Sequence, residues 1–112
     1  MREDDRGLFP GAIEMMVLQL LRSGPMHGYL LVQIIKRNSD GLLEVEEGSL
    51  YPALQRMLKL GWVTAEWKLS ERNRRIRVYR ITRVGRKQLE QKVSAFDRVL
   101  RGIVKVMRPS ES

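Results

Sequence analysis

The 112-residue sequence contains no cysteine and only one histidine, His27. Disulfide bonds and thiolate metal sites are therefore excluded, and a lone imidazole predicts no metal centre. We expect His27 to cap or pack at the start of a helix. No apolar run approaches the roughly 20 residues that a membrane-spanning helix needs, and the charged N-terminus lacks an adjoining signal-peptide core. These features predict a cytoplasmic protein without a cofactor.

Catalytic constellations are also lacking. No nucleophile can be paired with a base, so the sequence predicts that the chain is not an enzyme. Residues 24–28 have two glycines but not the glycine–lysine–serine/threonine end of a phosphate loop. The acidic residues between 40 and 47 lack the central glycine of a calcium loop, and we interpret them as a solvated connector.

Basic residues are abundant and lie mostly in one part of the chain. There are 21 Lys and Arg against 13 Asp and Glu, a net charge of +8. Residues 1–47 hold 5 basic and 8 acidic residues, whereas residues 48–112 hold 16 basic and 5 acidic. Such a one-sided excess predicts a polyanionic partner. DNA is favoured over a membrane, because the basic residues do not gather on one face of an amphipathic helix with aromatic anchors.

Residues 48–60 predict a helix with two unlike faces, and the basic part of the chain begins with it. We expect Gly48 or Ser49 to cap this helix, Pro52 to lie in its first turn and Gly61 to end it. Leu50, Leu54, Met57 and Leu58 form the apolar stripe. The opposite face suits phosphates and base edges, although an ordinary solvated face is the alternative. Its residues are Ser49, Pro52, Gln55, Arg56 and Lys59, with Tyr51 at the border.

Two shorter helices precede this one. The first is expected to begin with Pro10 at its first position and to end at 23–25, with an apolar stripe from Ile13 to Leu21. The second is expected over 27–38, followed by a turn at Asp40-Gly41 and an extended or irregular segment over 42–47.

After the helix at 48–60, residues 62–69 and 76–82 predict a β-hairpin with a polar tip. We expect Trp62 and Trp67 on its packed face, or alternatively with Phe96 in an effector pocket. The arginines at and beside the tip have only Glu71 as a local partner, so a phosphate backbone would relieve their mutual repulsion. A solvated arginine-rich loop is the alternative. These arginines are Arg72, Arg74, Arg75, Arg77 and Arg80.

The last predicted helix starts near Thr82 or Arg83 and runs to about Met107. At roughly 24 residues it would be about 36 Å long, more than so small a domain can cover. Its apolar residues alternate in steps of four and three, as in a coiled-coil seam, and predict dimerisation. Packing of the seam within one chain is the alternative. The seam consists of Leu89, Val93, Phe96, Leu100, Ile103 and Met107.

The predicted fold is therefore mainly α with a small β-hairpin. It is a winged helix-turn-helix over 10–82, in which the third helix enters a major groove and the hairpin contacts the backbone or minor groove. A flexible arm over 1–9 precedes it, and a dimerisation helix over 83–107 and a tail over 108–112 follow.

Three motifs support this interpretation: Gly24-Pro25-Met26-His27-Gly28-Tyr29, Glu47-Gly48-Ser49-Leu50-Tyr51-Pro52-Ala53-Leu54, and Tyr79-Arg80-Ile81-Thr82 with Gly85-Arg86. With them the chain resembles the PadR family of bacterial transcriptional regulators over roughly 10–107. The resemblance implies a winged-helix dimer of the short subgroup, usually a repressor that leaves DNA when an effector binds. It also implies that Ser49, Tyr51 and Pro52 lie at the reading end of the recognition helix, and that the 72–77 loop is the wing.

Taken together, these features predict a homodimeric repressor that binds an inverted-repeat operator in double-stranded DNA. Gln55 and Arg56 are expected to contact bases, and Tyr51 a thymine methyl group or a phosphate. Ser49, Lys59 and the wing arginines are expected to contact the backbone. A small apolar or aromatic effector is a further expectation, from the family resemblance and a hollow beside the long helix. The alternative function is a protein-interaction module that docks an acidic partner.

Overall fold

The structure, a computed structural model, describes residues 9–108. In this part of the chain, four helices enclose one core with a three-stranded antiparallel sheet of order β1-β3-β2. The predicted arm and tail lie outside the described residues, apart from Phe9 and Arg108. The elements are α1 (Ala12–Leu21), β1 (Met26–His27), α2 (Gly28–Asn38), α3 (Glu47–Lys59), β2 (Val63–Leu69), β3 (Arg75–Ile81) and α4 (Arg83–Met107).

The two short helices lie where their apolar spacing predicted them. Pro10, however, lies in a turn before α1 and not at its first position, because Gly11 adopts a left-handed conformation (φ 84°) at the N-cap. His27 caps α2, which is one of the two roles that the sequence predicted for it. Its Nδ1 accepts a hydrogen bond from the Leu30 amide at 3.3 Å. The turn that follows α2 has positive φ at both Asp40 and Gly41.

The third helix begins one residue earlier than predicted. Glu46 is its N-cap residue, so Gly48 and Ser49 are helical, and the prediction that either caps the helix is wrong. Pro52 is consequently the sixth helical residue and does not lie in the first turn. Its missing N–H deprives the Gly48 carbonyl of a helical partner, which is tolerable because Gly48 is exposed to water. The helix ends as predicted: Gly61 (φ 75°) lets the Trp62 amide donate to the Met57 carbonyl at 2.9 Å.

The predicted hairpin forms the larger part of the sheet. β2 and β3 pair antiparallel from Val63 opposite Ile81 to Leu69 opposite Arg75. The third strand, β1, was not predicted: Met26 pairs with Tyr79, and His27 pairs with Val78. This strand joins the start of α2 to the hairpin and completes the winged helix-turn-helix fold.

The core lies between α1, α2, α3 and the base of the hairpin. It buries residues from each of these elements, from the connection between α2 and α3 and from the first turns of α4. These residues are Val17, Leu18, Leu21, Leu31, Ile35, Val45, Leu50, Ala53, Leu54, Met57, Val63, Tyr79, Ile81 and Leu89. Within residues 9–108, no helix combines the length and apolar character that crossing a bilayer requires.

The start of α4 is fixed to the base of the hairpin. The Thr82 hydroxyl caps the helix by accepting from the Gly85 amide at 3.0 Å, and it lies 2.6 Å from the Gly61 carbonyl oxygen. The Thr82 amide donates to the Trp62 carbonyl at 3.0 Å. Gly85 is packed so closely on Trp62 that a Cβ would lie 2.1 Å from the Trp62 carbonyl oxygen. These contacts fix the direction in which the long helix leaves the domain.

Candidate nucleic-acid interface

The face of α3 that the sequence predicted to point outward is open to solvent. Pro52, Gln55, Arg56 and Lys59 are exposed, and Ser49 is half-buried. The opposite face is anchored in the core by Leu50, Ala53, Leu54 and Met57. The predicted stripe is thus confirmed, with Ala53 as an additional member and Leu58 only half-buried. The helix therefore presents hydroxyl, amide and cationic groups on a rigid support.

Tyr51 packs against the start of α2. A Cβ on Gly28 would lie 2.8 Å from both Cε1 and the hydroxyl oxygen of the tyrosine, so this approach requires glycine. Burial, and then the nearby carboxylate of Glu47, raise the pKa of Tyr51 above its usual value. The phenol is therefore protonated at neutral pH and can donate a hydrogen bond, and its ring packs against Gly28 while the side chain stays partly exposed.

Arg56 is held by a carboxylate that sequence reasoning missed. Its Nη2 donates to Oε2 of Glu14 on α1 at 3.0 Å. The Glu14 side chain is only 14% exposed, whereas that of Arg56 is 58% exposed. The guanidinium is thus tethered on one side and open on the other. The 42-residue separation left no local sequence signal for this pair.

The tip of the hairpin, residues 70–74, is organised by Ser70. Its amide donates to the Arg74 carbonyl at 2.8 Å, and its carbonyl accepts from the Asn73 amide at 2.9 Å. Its hydroxyl accepts from the amides of Arg72 and Arg74 at 3.3 and 3.2 Å. Both arginines are exposed, and no ion pair engages their side chains within residues 9–108. We call β2, β3 and this tip the wing.

The carboxylate that pairs with basic residues of the wing is not the one that the sequence suggested for its arginines. Glu66 on β2, and not Glu71, pairs with Lys68 at 3.4 Å and Arg80 at 3.9 Å. Trp67 lies in the same row of the hairpin as the core residues Val63 and Tyr79, as predicted, but its side chain is not packed: it lies beyond the edge of the core and is 56% exposed. Trp62 is half-buried and packs against the core as expected.

Two hollows flank Phe96 beside α1. One, of about 320 Å³, is lined by Phe9, Met15 and Lys92 among others; the second, of about 410 Å³, lies toward α2 and α4. Neither is lined by Trp62 or Trp67. The structure therefore does not bring the three aromatic residues of the predicted effector pocket together, because Trp67 belongs to the wing and Trp62 to the base of the hairpin.

The predicted seam on α4 is mostly uncovered in the single chain. Leu89 is buried, and Phe96 is half-buried with its ring 5.6 Å from that of Phe9. The described chain is 64 Å long but only 29 by 25 Å across, which reflects the projecting helix. The exposed seam residues are Val93, Leu100, Ile103 and Met107.

Comparison with known proteins agrees with this architecture. A transcriptional regulator from Clostridium thermocellum is 29% identical with a TM-score of 0.82, and the match covers 88% of this chain and 96% of that one. A PadR family transcriptional regulator from Eggerthella lenta is 28% identical (TM-score 0.74; 90% and 86% covered), and a PadR-like regulator from Bacillus cereus is 26% identical (TM-score 0.74; 90% and 96% covered). No curated protein matches the chain.

The model of the transcriptional regulator PadR-like family matches residues 17–91, which include the helix-turn-helix, the wing and the start of α4. This family consists of transcriptional regulators and not of enzymes, which confirms the prediction that the chain is not an enzyme. Because the family model matches residues 17–91 and the winged-helix fold is shared, the chain belongs to the PadR-like family of transcriptional regulators.

Proposed function

We propose that the chain is a homodimeric repressor that binds an inverted-repeat operator and is released from it by a small-molecule effector. The observation that carries the proposal is the pairing of an exposed polar helix face with an arginine-rich wing. Between residues 63 and 81 there are six basic and two acidic residues. Phosphates are the natural partners of such an excess, and they supply most of the affinity of DNA-binding proteins.

The two parts of this surface have different roles in the proposal. Gln55 and Arg56 lie on the rigid helix and reach base edges, where a bidentate pair can discriminate between bases by about 1–3 kcal/mol. Tyr51 contacts a thymine methyl group or a phosphate. The backbone is contacted by Ser49 and Lys59 of the helix and by the wing, with Pro52 beside Tyr51 at the reading end of the helix. The wing residues are Arg72, Arg74, Arg75 and Arg77.

The uncovered seam of α4 supports the dimer. Val93, Leu100 and Ile103 expose apolar surface at coiled-coil spacing, and a second copy of the helix would remove that surface from water. Two recognition helices would then lie about 34 Å apart, one turn of DNA, and read the two halves of an inverted repeat.

The hollows beside Phe96 support the effector. Their linings are largely apolar, with Met15, Met16 and Leu20 of α1 facing Val93 and Phe96 of α4. A small apolar or aromatic molecule suits such a lining. Since α4 also carries the seam, occupation of a hollow would change the relative position of the two recognition helices. We place this regulator in the cytoplasm.

Competition binding to DNA tests the proposal. The purified protein should prefer DNA from its own upstream region over random DNA by roughly 10³-fold or more at about 150 mM salt. Arg74→Ala should weaken binding to both DNAs and flatten the salt dependence by about one unit, whereas Arg56→Ala should relax sequence preference. Arg98→Ala, which removes an exposed arginine of α4 off the seam, is the charge-matched control. No preference, or no binding, would refute the proposed function and favour a protein-interaction module.

A further inference from the structure

The two faces of the wing differ in how their charges are matched. Residues directly opposite each other in the paired strands point to the same side of the sheet, so the register divides the hairpin into two rows. We call the row that continues from the core the inner face. It begins with buried Val63, Tyr79 and Ile81 and extends outward to Trp67 and its neighbours. The other row is the outer face.

The cations of the outer face are already partnered. Glu66 lies in the middle of this face, with Lys68 Nζ at 3.4 Å and the Arg80 guanidinium at 3.9 Å. One carboxylate therefore offsets part of the charge of two cations. An approaching phosphate would also meet the negative charge of Glu66, so this face has little attraction for a polyanion.

The cations of the inner face have an aromatic partner and no carboxylate within the described residues. The Arg75 guanidinium carbon lies 4.6 Å from the centre of the Trp67 ring, and that of Arg77 lies 5.6 Å from it. Arg77 is also 6.0 Å from the centre of the Tyr79 ring, and its Nε is buried without a hydrogen-bond partner in this part of the chain. No carboxylate therefore offsets their positive charges, and Arg75 is exposed whereas Arg77 is half-buried.

A guanidinium that packs over an indole ring is held without losing its hydrogen-bonding edge. Its N–H groups lie in its own plane, so contact with an aromatic ring through the flat face leaves donors free for phosphate oxygens. The exposed indole also restricts two long side chains that would otherwise have to be ordered on binding. Exposure of a large aromatic side chain is costly, and the contacts of Trp67 with the two guanidinium groups offer a reason for it.

We propose that the inner face of the wing binds the DNA phosphate backbone through Arg75 and Arg77, with Trp67 as the positioning residue that holds both guanidinium groups. This inference rests on the proposed function and deepens it, because it assigns backbone contact to one face of the wing and gives Trp67 a role in that contact. Arg72 and Arg74 are exposed at the tip next to this face.

Three charge-matched variants test the choice of face on a random-sequence duplex. Arg75→Ala and Arg77→Ala should each lower the slope of log affinity against log salt by about one unit. Arg80→Ala removes the same charge from the outer face and should leave the slope unchanged. If all three variants have the same slope of log affinity against log salt, the assignment of phosphate contact to the inner face is wrong. The proposed function would still hold in that case, because the protein binds DNA. If the unmodified protein does not bind DNA, both proposals fail together.

A second set of variants tests the role of Trp67. Trp67→Leu should weaken binding to specific and random DNA by the same factor, roughly 2- to 5-fold, the size expected from an exposed cation–π contact. Trp67→Phe, which keeps an aromatic face, should recover most of this loss. In a Trp62→Phe background, the fluorescence of Trp67 should change when the duplex is added. Unchanged affinity in Trp67→Leu, or unchanged fluorescence on binding, would overturn the positioning role.

Discussion

Gly85, at the third position of α4, offers a direct test of how the long helix is joined to the winged domain. A Cβ at this position would lie 2.1 Å from the Trp62 carbonyl oxygen and 3.0 Å from Cγ1 of Ile81. A carbon normally stays about 3.3 Å from such an oxygen, so the two segments would have to separate by roughly 1 Å. The obstructing atom belongs to the backbone and cannot rotate away. Gly85→Ala should therefore move either α4 or the start of β2.

The expected cost follows from three contributions. Overpacking costs about 1–3 kcal/mol, and weakening of the Thr82 cap costs about another 1 kcal/mol. The helix propensity of alanine returns about 1 kcal/mol. The net loss of about 1–3 kcal/mol should lower the melting temperature by on the order of 5–15 °C for a domain of this size.

Thermal unfolding followed by circular dichroism, at a fixed protomer concentration, measures this shift. Gly102→Ala is the matched control, since Gly102 lies in the same helix and a Cβ there would meet no described atom within 4 Å. It should raise stability by about 1 kcal/mol. A Gly85→Ala protein at least as stable as the Gly102→Ala protein would refute the reasoning.

Three further outcomes are expected from substitutions at Glu14, Leu100 and Gly28. Glu14→Gln should free Arg56 from its carboxylate partner, so that affinity for random DNA rises and preference for the operator falls. Competition titrations measure both affinities, and an unchanged ratio of the two would contradict this expectation. Leu100→Asp should place carboxylates on the seam and give a monomer in analytical ultracentrifugation, whereas Arg98→Asp, off the seam, should remain dimeric; a dimeric Leu100→Asp protein would rule out this seam. Gly28→Ala should lower the free energy of unfolding by at most about 1 kcal/mol in denaturant titrations, because the exposed end of the Tyr51 side chain can move aside, and by less in a Tyr51→Ala background; equal losses in both backgrounds would show that the tyrosine ring is not the obstacle.

Much of the fold could be predicted because its signals are local. The 3.6-residue spacing of apolar side chains located four helices, and the stop at Gly61 follows from a positive φ that glycine tolerates best. The hairpin followed from two runs rich in β-forming residues around a polar tip. The length of α4 was predicted to within about one residue, because apolar spacing continues without interruption to Met107.

The errors occurred where local signals were weak or equivocal. Strand β1 has two residues, too few to show alternation, and it exists only because Tyr79 and Val78 present a free edge to it. Both glycine and serine near the start of α3 are good caps, but the chain enters the helix at Glu46 instead. Consequently Pro52 lies a turn further into the helix than its usual preference indicates.

The sequence by itself determined the order of the helices and the hairpin, the buried faces of α2 and α3, the outward polar face of α3 and the basic charge of the wing, since each depends on neighbours within a few positions. Only the tertiary structure decided that Glu14 holds Arg56, that Gly28 accommodates Tyr51, and that Trp67 is exposed with two guanidinium groups and not packed in a pocket. These contacts depend on which distant segments approach each other. Their side chains follow no period that could reveal the partner.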